Sequence, residues 1–275
     1  MNNTFLKYIG IALLTSLLML NACKKDDNTI TNTASTTTNN GSLLLEFDHK
    51  VGTAALVFNQ TYTLNNAQVS INKMQYYVSN VVLTKSDGST YTVTKEQSYF
   101  FVKHLDGSKG TVTLTNLPIA DYTSVSFVLG IDREKSLTLS GTTQSGVLDN
   151  ASYPGSEMTW NWNSGYIFVK MEGNVATTTT AKAFQRHIGL YGGQSGTDIN
   201  NIKIIKLDLK NSSNVVTPAK VSTTVTPKIH LFVDVTKMFT DNYYPDQILS
   251  IMSGANSKAV ADAYVNMFVV DHVHN

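Results

Sequence analysis

From about residue 43 onward, apolar and polar residues alternate with a period of two. The stretch "SVSFVLGI" places Val125, Phe127, Leu129 and Ile131 on one face. "TVTLTNL" does the same with Val112, Leu114 and Asn116, and a turn interrupts it there. "IKIIKLDL" and "KIHLFVDV" add strands rich in β-branched residues. Asp87-Gly88, between "VVLTK" and "STYTV", predicts a hairpin whose glycine supplies the positive φ that tight turns require. Asp106-Gly107 and Pro154-Gly155 mark two further turns. Tyr122, in "NLPIADYTSV", stands where the hydroxyl of a sandwich-corner tyrosine ties back to nearby backbone.

Helical periodicity is scarce. "NSKAVADAYVNMFVV" predicts one helix, capped by Asn256 or Ser257, with Val260, Tyr264, Met267 and Phe268 on one face. "VTKMF" predicts a short helical turn after a strand ending at Val235. The fold expected is all-β, an antiparallel β-sandwich of Greek-key-like order with a short C-terminal helix. The terminal "DHVHN" is expected to leave that helix as a tail.

The first 42 residues break the pattern. "MNNTFLKYIG" carries one lysine, and an apolar run too short for comfortable membrane spanning follows, so residues 1–22 read as a secretory signal. Leu20-Asn21-Ala22-Cys23 resembles a bacterial lipobox, in which the cysteine is the nucleophile that becomes acylated. "CKKDDN" resembles the surface-export tag of Bacteroidetes lipoproteins, which implies outer-membrane lipid as a partner and a position facing outward. Residues 23–42, dominated by Thr, Asn, Ser and Asp, read as a lipidated flexible tether, and 43–275 as the folded domain. Cys23 is the only cysteine, so the mature chain has no internal disulfide and depends on packing.

Charge narrows the function. The whole chain carries 21 basic and 20 acidic side chains. Removing residues 1–22 takes away only Lys7 from that balance and leaves the chain formally neutral. Nucleic-acid binding requires a basic face, so nucleic acid is excluded as an expected partner. "GLYGGQSGTD" has no lysine where a phosphate loop needs one, and no Gly-x-Ser-x-Gly elbow, so it reads as a glycine-rich turn. No enzymatic constellation emerges.

Two groups could carry binding chemistry. Trp160 and Trp162 are two residues apart in "EMTWNWNSGYIFVKMEG" and so are expected on one strand face with Ser164, Tyr166 and Phe168. They suit either the core or an exposed aromatic platform for a glycan or other ligand. The second group is the six histidines. His272 and His274 can reach one ion from extended backbone, and imidazole nitrogen suits copper and zinc. His230 alternates with Phe232 and reads as structural, and His104, before an Asp-Gly turn, as solvated.

"MTWNWNSGYIFVKMEG" followed by "FQRHIGLYGG" resembles the copper-binding methanobactin-partner (MbnP)-like domain, as do "MQYYVSNVVLTKSDG" and "LPIADYTSVSFVLGI". "FDHKVG" and "HVHN" resemble its Bacteroidetes branch. The resemblance implies a secreted or surface protein holding one copper ion between histidines and a kynurenine. A di-haem peroxidase-like partner enzyme makes that kynurenine from a tryptophan, here Trp160 or Trp162. Where methanotroph members carry a histidine in the tyrosine–valine strand, this chain has Ser79, and "SLTLSGTT" has none where they carry another. Their loop cysteine is replaced around Gly192-Gly193. Copper ligands are therefore expected from other histidines, His49, His272 and His274 first and His187 behind them. The expected function is copper uptake or handling without catalysis.

Overall fold

The computed structural model describes residues 40–139, 144–149, 157–176, 180–193, 198–211, 213–239 and 244–275. The signal segment, Cys23, most of the tether and Pro154-Gly155 lie outside the described residues. The strands are β1 (Asn40–Val51), β2 (Ala54–Ala55), β3 (Thr61–Leu64), β4 (Ala67–Lys85), β5 (Thr90–Thr92), β6 (Tyr99–Lys103), β7 (Gly110–Pro118) and β8 (Ala120–Leu129). They continue with β9 (Ile167–Ala176), β10 (Lys182–Gly189), β11 (Lys203–Asp208), β12 (Ala219–Val221), β13 (Lys228–Asp234), β14 (Ser250–Ile251) and β15 (Phe268–His274). Helices α1 (Arg133–Leu137) and α2 (Ala255–Tyr264) are short. No helix among the described residues is long and apolar enough to cross a membrane.

The all-β sandwich is the observed architecture. A five-stranded sheet runs β15-β13-β1-β2, with β7 also paired to β1. A ten-stranded sheet runs β11-β8-β4-β9-β10-β14, with β3, β5 and β6 on β4 and β12 on β8. Most pairs are antiparallel, but β1 runs parallel to β13 and β10 to β14. β1 begins at Asn40, three residues inside the segment expected to be tether, because Asn40 and Gly41 already pair with Pro118 and Leu117.

The alternation of β1 fixes the two faces of the smaller sheet. Leu43, Leu45, Phe47, His49 and Val51 are buried, and the residues between them are less so. Phe47 meets Tyr76, Phe127 and Phe268 edge-on at centroid distances of 5.9, 6.2 and 6.2 Å. Those partners come from β4, β8 and β15, so one ring ties both sheets together. Val125, Phe127, Leu129 and Ile131 are buried together as the period predicted.

Local chemistry follows the sequence at several corners. Tyr122 is buried and its hydroxyl donates to the Pro118 carbonyl at 2.8 Å. Gly88 has φ 84°, and the Lys85 N–H reaches the Ser89 carbonyl at 2.8 Å, so the hairpin encloses three residues. Gly107 has φ 73° in the next turn. "VTKM" forms the expected turn, with the Asp234 side chain accepting from the Thr236 N–H.

Three expectations need correction. β7 does not stop at a turn: Asn116 takes φ 58°, and the strand continues through it to bury Leu117. Such a one-residue bulge shifts the alternation instead of ending it. The C-terminal helix starts at Gly254 rather than on an Asn256 or Ser257 cap, and the Ser257 hydroxyl donates back to the Gly254 carbonyl at 2.8 Å. It ends at Tyr264, a 3-10 turn spans Val265–Met267, and Phe268 is already in a strand. "DHVHN" is therefore no tail; its first four residues are the end of β15, paired with β13.

Candidate metal centre

The outer face of the five-stranded sheet gathers the acids and imidazoles. On β1, Glu46 and Asp48 alternate with the buried residues, so their side chains leave the sheet away from the core. Glu46 pairs directly with His230 of parallel β13, and His230 pairs directly with His272 of β15. The ladder then slips by one, since Leu231 pairs with Val270. Asp271 is the extra residue of a β-bulge, and bulges of this kind re-aim a side chain. Val270 pairs with core residue Leu231, so alternation alone leaves Asp271 on the outer face and would turn His272 inward; the extra residue keeps both outside. The bulge brings Asp271 beside its neighbour His272, facing His230.

The distances define a connected cluster. Asp271 Oδ2 lies 2.8 Å from His230 Nδ1 and 2.8 Å from His272 Nδ1. A carboxylate only accepts, so both imidazoles donate from Nδ1 and turn Nε2 away. His272 Nε2 lies 2.6 Å from His274 Nε2. These three residues, His230, Asp271 and His272, each offer a ligand atom within 4.8 Å of the others. Partial burial raises the Asp271 pKa, but the hydrogen bonds from His230 and His272 outweigh it and hold the carboxyl below its ordinary value. An imidazole whose Nδ1–H is held by a carboxylate is fixed in orientation and made a better donor at Nε2.

His49 does not join this cluster. It is 2% exposed, on the core face of β1, so the sheet itself separates it from His272 and His274. Its Nε2 lies 3.1 Å from the Tyr76 hydroxyl, and its ring is 5.2 Å from that of His104. Burial first, and then the nearby His104, depress its pKa to about 3. His104 is likewise not solvated as expected: it is buried against the Phe58 ring at 4.7 Å, with Nε2 3.1 Å from Asp106 Oδ1.

His187 lies in a third place, with the tryptophans. Residues 161–165 form bends, so Trp160 and Trp162 are not successive positions on one strand face as expected. Gly165, at φ 82°, allows the chain to reverse before β9. Trp160 is 9% exposed and Trp162 56%, with ring centroids 5.5 Å apart. Gly189 makes room for this arrangement, since a Cβ there would stand 2.3 Å from Trp160 and 2.4 Å from the Tyr166 carbonyl oxygen. Both rings line a cleft of 430 Å³ with Glu157, Lys170 and His187. His187 Nε2 is engaged by Glu172 Oε1 at 2.7 Å, and that bond, with Lys73 beside it, lowers the Glu172 pKa to about 2 against the effect of burial.

His230 is the residue that sequence reasoning set aside as structural. It is buried, yet on the outer face and between acids from two other strands. Glu46 and Asp48 carried no sequence signal, since a hundred residues or more separate β1 from β13 and β15. Ser79, at the position where a histidine was absent, is fully buried and its hydroxyl donates to the Gly130 carbonyl at 2.7 Å.

A family model described as MbnP matches residues 40–253. Among solved structures, MbnP from Methylosinus trichosporium aligns with 14% identity over 78% of this chain and 82% of that chain, at a TM-score of 0.48. No curated protein matches the sequence.

Proposed function

The chain belongs to the MbnP family, and we propose on that footing that it binds a metal ion, copper before others, for uptake or handling of the ion and without catalysis. The observation that carries the reading is the convergence of His272 and His274 at Nε2, with His272 held from behind by Asp271. Two imidazole nitrogens on one edge strand suit copper, and a metal ion replaces the proton that now joins them. The family's pairing of histidines with a kynurenine does not fit the tryptophan cleft. That cleft offers one imidazole among the described residues, and its Nε2 is committed to Glu172. Oxidation of Trp160 or Trp162 by a di-haem partner would therefore stand apart from the terminal pair. Acylated Cys23 anchors the protein in this reading to outer-membrane lipid, facing out.

Titration of the purified chain with Cu(I) and with Cu(II) tests the assignment. The double variant His272→Ala/His274→Ala is expected to lose the tight site. Asp271→Asn, which can no longer hold the ring as an ionised acceptor, is expected to weaken it by about 10–100-fold. Unchanged affinity in the double variant would remove the pair from the site.

A second reading rests on Trp162. Its exposed ring beside Trp160 forms an aromatic wall on the cleft, which suits stacking against a glycan or another flat ligand. Trp162→Ala should abolish binding on a glycan array while leaving copper affinity unchanged. Equal array signals for both proteins would discard this reading.

A further inference from the structure

His230 has one nitrogen that the cluster described above leaves unused. Its Nδ1 donates to Asp271, which leaves Nε2 as the nitrogen that faces away from that carboxylate. That Nε2 is buried without a hydrogen-bond partner in a side chain only 4% exposed. It stands 3.7 Å from Glu46 Oε1 and 3.5 Å from Asp48 Oδ2. A nitrogen facing two carboxylates needs something positive between them, either a proton on Nε2 or a metal ion. The separations exceed those of a good hydrogen bond, about 2.7–3.2 Å. Two ligand atoms each about 2.1 Å from a tetrahedral ion stand about 3.4 Å apart, which these distances approach.

We infer that Glu46, Asp48 and His230 Nε2 form a second cation site, for a zinc-type divalent ion, back to back with the His272/His274 pair. One imidazole and two carboxylates are a donor set for zinc rather than for a soft thiolate-seeking ion. Lys109 donates to Glu46 Oε1 at 3.1 Å and Lys228 to Glu46 Oε2 at 2.9 Å, which neutralises much of that carboxylate. Asp48 has no lysine or arginine ion-pair partner among the described residues, so it supplies the site's main negative charge. Asp271 positions both centres at once: it holds His230 and His272 from the Nδ1 side and leaves each Nε2 free for its own ion. The tautomer at His230 and that at His272 are set by the same oxygen.

The test uses the full chain, stripped with a chelator and titrated with Zn(II) alone. In the His272→Ala/His274→Ala background one Zn(II) should still bind per chain. Adding Asp48→Asn should weaken that binding at least tenfold, and Lys109→Gln should tighten it severalfold by freeing Glu46. Copper affinity of the terminal pair should not change in Asp48→Asn alone. Nitrogen NMR of histidine-labelled wild-type protein gives a readout that needs no variant: Zn(II) should shift the His230 Nε2 resonance. No zinc bound in the double variant would overturn the second site. So would a His230 Nε2 resonance indifferent to Zn(II), which would leave a proton in the gap.

Discussion

Replacing Phe47 by alanine should lower the free energy of unfolding by about 3–5 kcal/mol, the range for deleting a buried aromatic ring. The position is fully buried, and its ring is the common neighbour of Tyr76, Phe127 and Phe268. Phe127 and Phe268 also meet edge-on at 5.3 Å, and Tyr76 and Phe268 at 5.9 Å. Removing Phe47 therefore empties the centre of a four-ring set contributed by both sheets, and rigid strands on either side limit collapse into the void. Each lost edge-to-face contact adds to the lost burial. Phe47→Leu should recover more than half of the loss, because it refills most of the volume. Urea unfolding of the three proteins measures this, and a Phe47→Ala cost under 1 kcal/mol would show that the site collapses freely. Because Phe47 lies between Glu46 and Asp48 on β1, the same variant reports how firmly the outer face is held.

Acid should destabilise the fold through His49. In the unfolded chain this imidazole takes up a proton near its ordinary pKa of 6.5, but in the folded protein only near 3. Between those values the unfolded state binds more protons, so stability decreases as pH falls below about 6.5, and the loss is complete only below about 3. At pH 5 the loss from this one group is about 2 kcal/mol. The cause is burial of the ring on the core face of β1, with the neighbouring His104 adding to it. His49→Gln keeps a side chain able to meet the Tyr76 hydroxyl and removes the titration. Unfolding free energies at pH 7 and pH 5 should therefore fall by about 2 kcal/mol less in the variant than in the wild type. Parallel pH dependence in the two proteins would place the acid sensitivity elsewhere.

Sequence reasoning worked wherever a residue's role is set within its own strand or turn. The alternation that buries Val125, Phe127, Leu129 and Ile131 needs only the pleat of one strand. Tyr122, Gly88 and Gly107 were legible because a corner tyrosine and a positive φ are local requirements. Reading failed where one added residue shifts the alternation. At Asn116 the pattern predicts a turn where the chain makes a bulge, and from Phe268 it predicts helix where the chain is strand, because "MFVV" suits both a helical stripe and a buried strand. The tryptophans kept their proximity but not their strand.

By itself, the sequence determined an all-β sandwich, since period-two patterning and turn residues act over a few positions. It also marked His272 and His274 as a pair, because two residues of extended chain bring their side chains to one side. The tertiary structure alone decided which other groups stand with them. Parallel pairing of β1 with β13 carries Glu46 to His230, and the bulge in β15 keeps Asp271 and His272 on one face, where the carboxylate meets both imidazoles. The parity of β1 sends His49 to the opposite face. Register between strands far apart in the chain is chosen by the packing of whole faces, and no short stretch of residues contains that information.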